Sequence, residues 1–221
     1  MRPKSTNEAT GTAPGAVGRT PAVRSPRASG ARRREEILAI AVETFATRGY
    51  HNASLAEIAE RAGLTQAGLL HHFRSKTALL SSVLELRDNS EIQQLGPERP
   101  RGLAFLNHLV DTVRRNAERE GIVRLYTVLS AESVTEGHPA QAFFRDRYDG
   151  LRAMVTEALC EACALGEVRD DLDVEGVASA VIAVMDGLQV QWLLAPQSVD
   201  MAATTRRVID ALLADLLPAQ D

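Results

Sequence analysis

The stretch SLAEIAERAGLTQAGLLHHFRSK, residues 54–76, decides the fold because it predicts two short helices joined by a glycine turn. Ser54 and Glu57 are spaced as a capping box, which marks the start of the first helix. Gly63 can adopt the left-handed conformation that ends a helix, and Thr65 can cap the next one. The pattern is typical of a helix-turn-helix, although helical hairpins that serve only as scaffold share it.

The flanking residues favour a DNA-binding interpretation of this stretch. Before it, an amphipathic helix is predicted over residues 35–48, with Ile37, Ala41 and Phe45 on one stripe. After it, an apolar run begins just beyond Lys76 and predicts a long fourth helix. We therefore expect a small three-helix head joined to a larger body.

Residues 33–87 resemble the DNA-binding domain of the tetracycline-repressor (TetR) family of bacterial regulators. The resemblance is carried by the gapless segment ILAIAVETFATRGYHNASLAEIAERAGLTQAGLLHHFRSKTALL, in which Ser54 opens the second helix and Gly63 makes the turn. His72-Phe73 ends the third helix and Lys76 begins the fourth, as in the family. Leu70 departs from the pattern, because the family usually has a tyrosine there that reaches a phosphate. Leucine offers only packing or contact with a thymine methyl group.

The resemblance implies roles for the outward face of the third helix. Ser54, Thr65 and Lys76 are expected at phosphates, and Gln66 and His71 at base edges, where glutamine suits adenine. The candidate DNA-binding residues are Ser54, Thr65, Gln66, Ala67, Gly68, Leu70, His71, His72 and Lys76. Arg32, Arg33 and Arg34 are further candidates for nonspecific phosphate contact.

The remainder of the chain predicts helices throughout, so we expect an all-α protein of about nine helices. The expected divisions are a disordered basic tail over residues 1–30, the helix-turn-helix head over 31–76, and a helical effector-binding and dimerisation domain over 77–221. Helices are predicted over about 75–89, 101–118, 122–134, 139–164, 174–194 and 201–217.

The last two predicted helices point to a homodimer. Residues 174–194 are apolar nearly all round, so we expect this helix to be buried on most faces. Residues 201–217 offer a leucine ridge at the end of the chain. The segment DGLQVQWLLAP also resembles a regulatory domain of the same family, which implies that these two helices pair with their copies in a second subunit.

The family resemblance also implies a small-molecule cavity in the body. Polar residues interrupt the apolar helices there, as a ligand site requires, although each one alone is better explained as a core or interface polar group. The candidate effector-binding residues are His108, Thr112, Tyr126, Ser130, Tyr148, Asp186, Gln189 and Trp192. Trp192 fits the dimer interface equally well.

Composition and charge agree with this interpretation. Hydrophobic residues make up 45% of the chain, and its mean hydropathy is −0.12. There is no run of about 18 apolar residues and no apolar signal segment at the start, so we expect a cytoplasmic protein with no membrane contact. Residues 1–87 carry a net charge of +6 and the remainder −10, which suits a head that meets DNA.

Other chemistry finds little support. Cys160 and Cys163 form a C-x-x-C inside a helix with no second pair, which predicts two reduced thiols, not a zinc site. No nucleophile–base pair or phosphate loop is present, so we expect neither an enzyme nor a cofactor. The resemblance to the TetR family implies a homodimeric repressor of palindromic operators, released by an unidentified small molecule. The alternative is a helical adaptor or ligand carrier whose head no longer binds DNA.

Overall fold

The computed structural model describes residues 26–95 and 99–216, and over these ranges the chain forms nine helices and no strand. They are α1 (Pro26–Asn52), α2 (Leu55–Arg61), α3 (Gln66–His72), α4 (Lys76–Leu95), α5 (Leu103–Ala117), α6 (Glu120–Ser133), α7 (Gln141–Ala164), α8 (Val174–Leu194) and α9 (Met201–Leu216). The all-α prediction is confirmed.

Two predicted boundaries differ from the structure. α1 begins at Pro26, so residues 26–30, predicted as part of a disordered tail, are helical; residues 1–25 lie outside the described range. α4 continues to Leu95, well past the predicted end near residue 89. The predicted break at Gly96-Pro97 also lies outside the described residues.

The head is built around a small apolar core. α1 contributes Ile37 and Phe45, α2 contributes Ile58, and α3 contributes Leu69, all with no measurable exposure. Phe73, directly after α3, is buried as well. These side chains come from three helices of which two have only seven residues, so packing, not helix propensity, holds α2 and α3 in place.

The head sits on the body through α1, whose contact with α6 is the most extensive between any two helices in the described part of the chain. Phe45 belongs to the same buried cluster as Leu125 and Leu129 of α6. At the end of this contact Gly49 turns the chain with φ 70°, and a Cβ there would collide with the Glu132 carboxylate. The Tyr50 N–H donates to Glu132 Oε2 at 2.7 Å.

His138 completes this head–body junction, which we define as Gly49, Tyr50, Glu132 and His138. Its side chain is fully buried, and its Nδ1 accepts the Ala140 N–H at 3.2 Å. The Nε2 atom lies 3.6 Å from Glu132 Oε2, too far for a hydrogen bond, and has no hydrogen-bond partner. Burial lowers the pKa of His138, outweighing the opposing effect of Glu132, so its imidazole is neutral at neutral pH.

The body is a bundle in which α8 packs against α6, α7 and α9, and α5 packs against α6, α7 and α9. Its core includes Phe105 and Leu106 of α5, Leu159 of α7, and Val181 of α8. Asp173 caps α8 by accepting the Gly176 N–H at 3.0 Å. The arrangement leaves α5, α6, α7 and α8 around a common interior.

The expectation that α8 is buried on most faces is wrong for the single chain. Ala180, Ala183, Val190 and Leu194 are exposed, with Val190 44% and Leu194 82% accessible. Together with Gly187 they recur every three or four residues and form one stripe. The helix is also long and apolar enough, by length and composition alone, to cross a membrane. One such helix is weak evidence for a span, because helices that pack within soluble bundles pass the same test.

Leu69 and Leu70 are adjacent in α3 and provide a matched test of the head. Leu69→Ala should cost about 2–5 kcal/mol of unfolding free energy, because a fully buried leucine leaves a cavity. Leu70→Ala should cost less than about 1 kcal/mol, since Leu70 is partly exposed. Urea unfolding followed by circular dichroism measures both, and equal losses would contradict the assignment of Leu69 as the inward anchor.

His138 gives the fold a predicted pH dependence. Its folded pKa lies below the unfolded value near 6.5, so the unfolded chain takes up a proton first and stability falls as the pH drops through that value. His138→Gln should reduce the loss of unfolding free energy between about pH 7.5 and pH 5.5. His51→Gln is the control, because the exposed His51 ring meets the His138 ring edge to face, with the ring centres 5.3 Å apart. If His138→Gln loses as much unfolding free energy over this pH range as the wild type does, His138 is not the source of the pH dependence.

Candidate DNA interface and ligand cavity

The helix-turn-helix geometry is present between Ser54 and Phe73. Ser54 Oγ accepts the Ala56 N–H at 3.2 Å and caps α2, and Thr65 Oγ1 accepts the Gly68 N–H at 3.1 Å and caps α3. Gly63 makes the turn with φ 65°. The predicted capping box is only half formed, because the Glu57 side chain turns to Arg48 at 3.9 Å and not to the Ser54 N–H.

The outward face of α3 carries the predicted base-contacting side chains. Gln66, Ala67 and His71 are exposed, while Gly68 and Leu70 are partly exposed. Beneath them Leu69 is buried, which fixes the rotation of the helix about its axis. The structure therefore brings Thr65 to the start of this face and His71 to its end. His72 is partly buried and meets His71 edge to face at 5.9 Å.

Lys76 is held in place by the end of α1. Its Nζ donates to the His51 carbonyl at 3.1 Å and lies 4.5 Å from the centre of the Tyr50 ring. Burial lowers the pKa of Lys76, an effect that Glu132 partly opposes. Tyr50 in turn bonds Thr77 through its hydroxyl at 3.0 Å. The ammonium group is thus fixed at the corner between α3 and α4 and remains partly exposed.

Two of the three arginines near the start of the head have contacts that the sequence did not reveal. Arg33 Nη1 donates to the Ala62 carbonyl at 3.1 Å and so reaches the end of α2. Arg34 Nη2 donates to Ser82 Oγ at 2.9 Å, with its guanidinium 4.7 Å from the Phe73 ring centre. Arg33 and Arg34 brace α1 against α2 and α4. Among the described residues, no group of three potential metal ligands occurs.

A cavity of two adjacent lobes lies among α5, α6, α7 and α8. The first lobe encloses about 350 Å³ and the second about 510 Å³, within the range of small-molecule sites. The residues that line both lobes, and so lie between them, are Asn116, Arg147, Leu151, Asp186 and Gln189. The rest of the first lobe is largely apolar, with Leu109, Met154, Ile182 and Met185 among its walls.

Seven of the eight predicted effector residues line this cavity. His108 and Thr112 lie in the first lobe, and Tyr126, Ser130 and Tyr148 lie in the second. Asp186 and Gln189 face both. Trp192 lines neither lobe; it is buried with Val113, Val123, Leu188 and Met201, because it lies on the part of α8 that faces the start of α9.

Tyr148 and Asp186 form the central polar contact of the cavity. The Tyr148 hydroxyl donates to Asp186 Oδ2 at 2.7 Å. Burial and this bond raise the pKa of Tyr148 to about 12. Burial also raises the pKa of Asp186, against the opposing effects of the Tyr148 bond and the Arg147 charge. The pair lies where the two lobes join.

The cavity is also lined by three residues that the sequence did not single out, Arg115, Asn116 and Arg147. Charged residues on amphipathic helices usually face solvent, so their spacing gave no reason to select them. One signal was available, since Thr112 and Arg115 are three residues apart and so share a helix face. The structure shows Arg115 Nη2 donating to Thr112 Oγ1 at 2.8 Å.

The two cysteines of the C-x-x-C lie three residues apart near the end of α7. Cys160 is exposed and Cys163 is partly buried, and both are free thiols. The Cys163 thiol donates to the Arg169 carbonyl at 3.4 Å, and burial raises its pKa. A raised pKa disfavours the reactive thiolate.

Two family models match the chain over most of its length. Residues 37–83 match the bacterial regulatory proteins of the tetR family. Residues 104–218 match the C-terminal domain of BetI-type transcriptional repressors. The first match covers the helix-turn-helix and the second covers the body that holds the cavity.

Individual relatives agree with both models. The HTH-type transcriptional regulator TtgR of Pseudomonas putida is 31% identical over 189 residues, covering 80% of this chain and 88% of TtgR. The regulator FadR of Bacillus subtilis, solved with stearoyl-CoA, has a TM-score of 0.69 at 19% identity, covering 82% of this chain and 98% of FadR. A regulator from Saccharomonospora viridis, solved with choline, has a TM-score of 0.68 at 21% identity, covering 86% and 100%.

These findings agree with the helix-turn-helix geometry and with the resemblance of residues 33–87. They give no support to the adaptor alternative, since the matched families and relatives are transcriptional regulators. The chain belongs to the TetR family of bacterial DNA-binding transcriptional regulators.

Proposed function

We propose that this regulator is a homodimeric repressor that binds a palindromic operator through α3 and leaves it when a small molecule fills the cavity. The observation that carries the proposal is the exposed face of α3, with Gln66 and His71 above the buried Leu69. It is a cytoplasmic protein and not an enzyme in this proposal, in keeping with its regulator relatives.

The capping hydroxyls can serve DNA as well as the fold. Ser54 and Thr65 use an oxygen lone pair to accept a backbone N–H, so the proton of each hydroxyl is left to donate to a phosphate. Lys76 adds a fixed positive charge at the same corner. His72 supports this group by packing at the end of α3 or reaching a phosphate. Phosphate contacts of this kind fix the register of a helix in the groove.

We assign recognition of the DNA bases to the exposed face of α3 that lies between these phosphate contacts. Gln66 can bond the N6 and N7 edge of adenine with both atoms of its amide, and His71 is placed to reach a second base. Ala67 and Gly68 are small enough to admit a close approach of the backbone to the groove. Where the family usually has a tyrosine that contacts a phosphate, Leu70 offers an apolar side chain. Such a side chain suits contact with a thymine methyl group.

Dimerisation is assigned to α8 and α9. The stripe formed by Ala180, Ala183, Gly187, Val190 and Leu194 lets a second α8 approach closely. α9 lies beside it and exposes residues 210, 211 and 214. A two-fold axis through these helices would place two copies of α3 on half-sites about 34–36 Å apart, one turn of DNA.

Release is assigned to α6, which touches the cavity and the head. Tyr126 lines the second lobe, and its hydroxyl donates to the Leu84 carbonyl of α4 at 3.4 Å. Glu132 of the same helix accepts the Tyr50 N–H of the head–body junction. A ligand that displaces α6 therefore acts on α1 and α4 together. The expected result is a changed spacing of the two heads.

The first test is selection of duplex DNA from a random pool by the purified protein at two salt concentrations. A palindromic site should be enriched, and its affinity should fall steeply as salt rises. Gln66→Ala, selected in parallel, should lose discrimination at one base pair in each half-site, at about 1–3 kcal/mol.

The controls for this selection lie on the same helices. Glu60→Ala changes an exposed residue of α2 outside the assigned contacts and should recover the wild-type site. Failure of the wild-type protein to enrich any sequence would contradict sequence-specific binding by α3. Recovery of an unaltered site by Gln66→Ala would contradict the role of Gln66 alone.

Lys76→Ala tests the phosphate contact separately. It should weaken binding to specific and random DNA by a similar factor and lower the salt dependence by about one unit of slope. Lys76 also donates a hydrogen bond to the His51 carbonyl, so the melting temperature of Lys76→Ala must be measured in the same samples. A lower melting temperature with an unchanged salt slope would mean that Lys76 serves only the fold, and a loss confined to one sequence would also contradict the phosphate role.

A further inference from the structure

The first lobe of the cavity changes from apolar to charged along its length. α5 contributes Phe105 at one end, then His108 and Thr112, and finally Arg115. Phe105 and Arg115 are separated by ten steps along α5, which span about 15 Å at the rise of an α-helix. Across the lobe, Ile182 of α8 lies towards the Phe105 end. The lobe therefore suits a molecule with an apolar body and one polar end.

Arg115 provides the charge at the polar end, and no carboxylate of the residues that the structure describes pairs with it. Its one hydrogen bond runs from Nη2 to Thr112 Oγ1. No Asp or Glu oxygen in residues 26–95 and 99–216 lies within ion-pair distance of it. Its Nε is buried and has no hydrogen-bond partner. Leaving a buried donor without an acceptor costs free energy. A ligand that brings an acceptor to the Arg115 Nε would therefore be favoured at this site.

The acidic residues near Arg115 are engaged elsewhere. Asp111, on the same helix, pairs with Arg114 on the outer face of α5. Asp146 is exposed and lies 3.6 Å from Arg145. Asp186 is bonded by the Tyr148 hydroxyl. These contacts leave the guanidinium of Arg115 as the group without a counter-charge in the first lobe.

The other polar groups of the first lobe are compatible with an anion. Burial lowers the pKa of His108, as does the Arg115 charge, against a weaker effect of Asp111, so the imidazole is neutral at neutral pH. A neutral His108 can share a hydrogen bond without adding charge. Arg147, the second guanidinium on the lobe, lies 4.7 Å from the centre of the Tyr126 ring. Arg115 thus supplies a positive charge opposite the apolar end.

We propose that the ligand of this cavity is an amphipathic carboxylate, whose carboxylate pairs with Arg115 and whose apolar body lies along α5 towards Phe105. The proposal rests on the proposed function in assigning the effector to this cavity. The planar guanidinium matches the two oxygens of a carboxylate, and such charge-assisted pairs are stronger than neutral hydrogen bonds. Solved relatives of this fold hold stearoyl-CoA or choline, which differ in charge, so the fold leaves this choice to the residues of each chain.

The test uses ligands that share one body and differ in the polar end. Binding of decanoate, 1-decanol and decyltrimethylammonium is measured by isothermal titration calorimetry below their micelle concentrations. The series 4-phenylbutyrate, 4-phenylbutanol and 4-phenylbutylammonium is measured in the same way. In at least one series the carboxylate should bind at least about tenfold more tightly than its neutral and cationic partners.

Adjacent arginines provide the matched variants. Arg115→Gln should weaken binding of the preferred carboxylate by about tenfold or more and leave the affinity for the alcohol unchanged. Arg114→Gln, on the outer face, should leave both affinities unchanged. Arg115→Lys should retain part of the preference, because charge remains without the planar fork. Melting temperatures of all three variants verify that they are folded.

Two results would overturn the assignment. One is a cationic or neutral ligand that binds as tightly as the carboxylate in both series, or no carboxylate binding in either. The other is equal carboxylate affinity in Arg115→Gln and wild type. Operator binding in the same preparations separates this inference from the proposed function. A protein that binds its operator but prefers no carboxylate remains a regulator with another ligand, whereas one that binds no operator has lost the proposed function whatever calorimetry shows.

Discussion

Burial of Leu69 and Phe73 is the constraint on which the rest of the structure depends. A helix of seven residues such as α3 is not stable alone in water, because the cost of nucleation exceeds what so few hydrogen bonds return. Two apolar side chains fixed in the core of the head hold it, and the Thr65 cap sets where it begins. The exposed face of α3 is rigid for this reason, and a rigid face is what base contacts require.

The head owes its orientation to α6, which carries the largest helix contact with α1. Glu132 receives the Tyr50 N–H at the turn made by Gly49, and the neutral His138 fills the space beside it. A hydrogen bond from a backbone N–H to a charged acceptor is directional. It therefore fixes the angle between head and body, whereas apolar packing alone would allow the two to slide. The same helix lines the cavity through Tyr126. Changes in the cavity and changes in the head therefore share one element.

Much of this arrangement could be predicted from periodicity and capping residues. The nine helices and the inward anchors of α3 follow from spacing, because a local pattern determines each of them. The errors arose where distant parts of the chain meet. Arg33 and Arg34 bond across the head, and the Glu57 side chain turns to Arg48. Arg115 faces the cavity because α7 and α8 close over it, and its three-residue spacing from Thr112 is the one signal for this within α5.

α8 shows how one helix can serve two surfaces. Asp186 and Gln189 line the cavity, while Ala183, Gly187 and Val190 lie on the stripe that the single chain leaves uncovered. Asp186 lies three residues from Ala183 and four from Val190, so the cavity and the stripe occupy adjacent faces of the helix, and Val190 lines the second lobe as well. A shift of α8 large enough to admit a ligand must also move the stripe. In the proposed dimer the stripe lies at the symmetry axis. A small rotation of the subunits at this contact changes the distance between the two distant heads more than the same rotation within one head does. The apolar residues of α8 that the single chain leaves uncovered are therefore explained by the position of this helix between the cavity and the proposed second subunit.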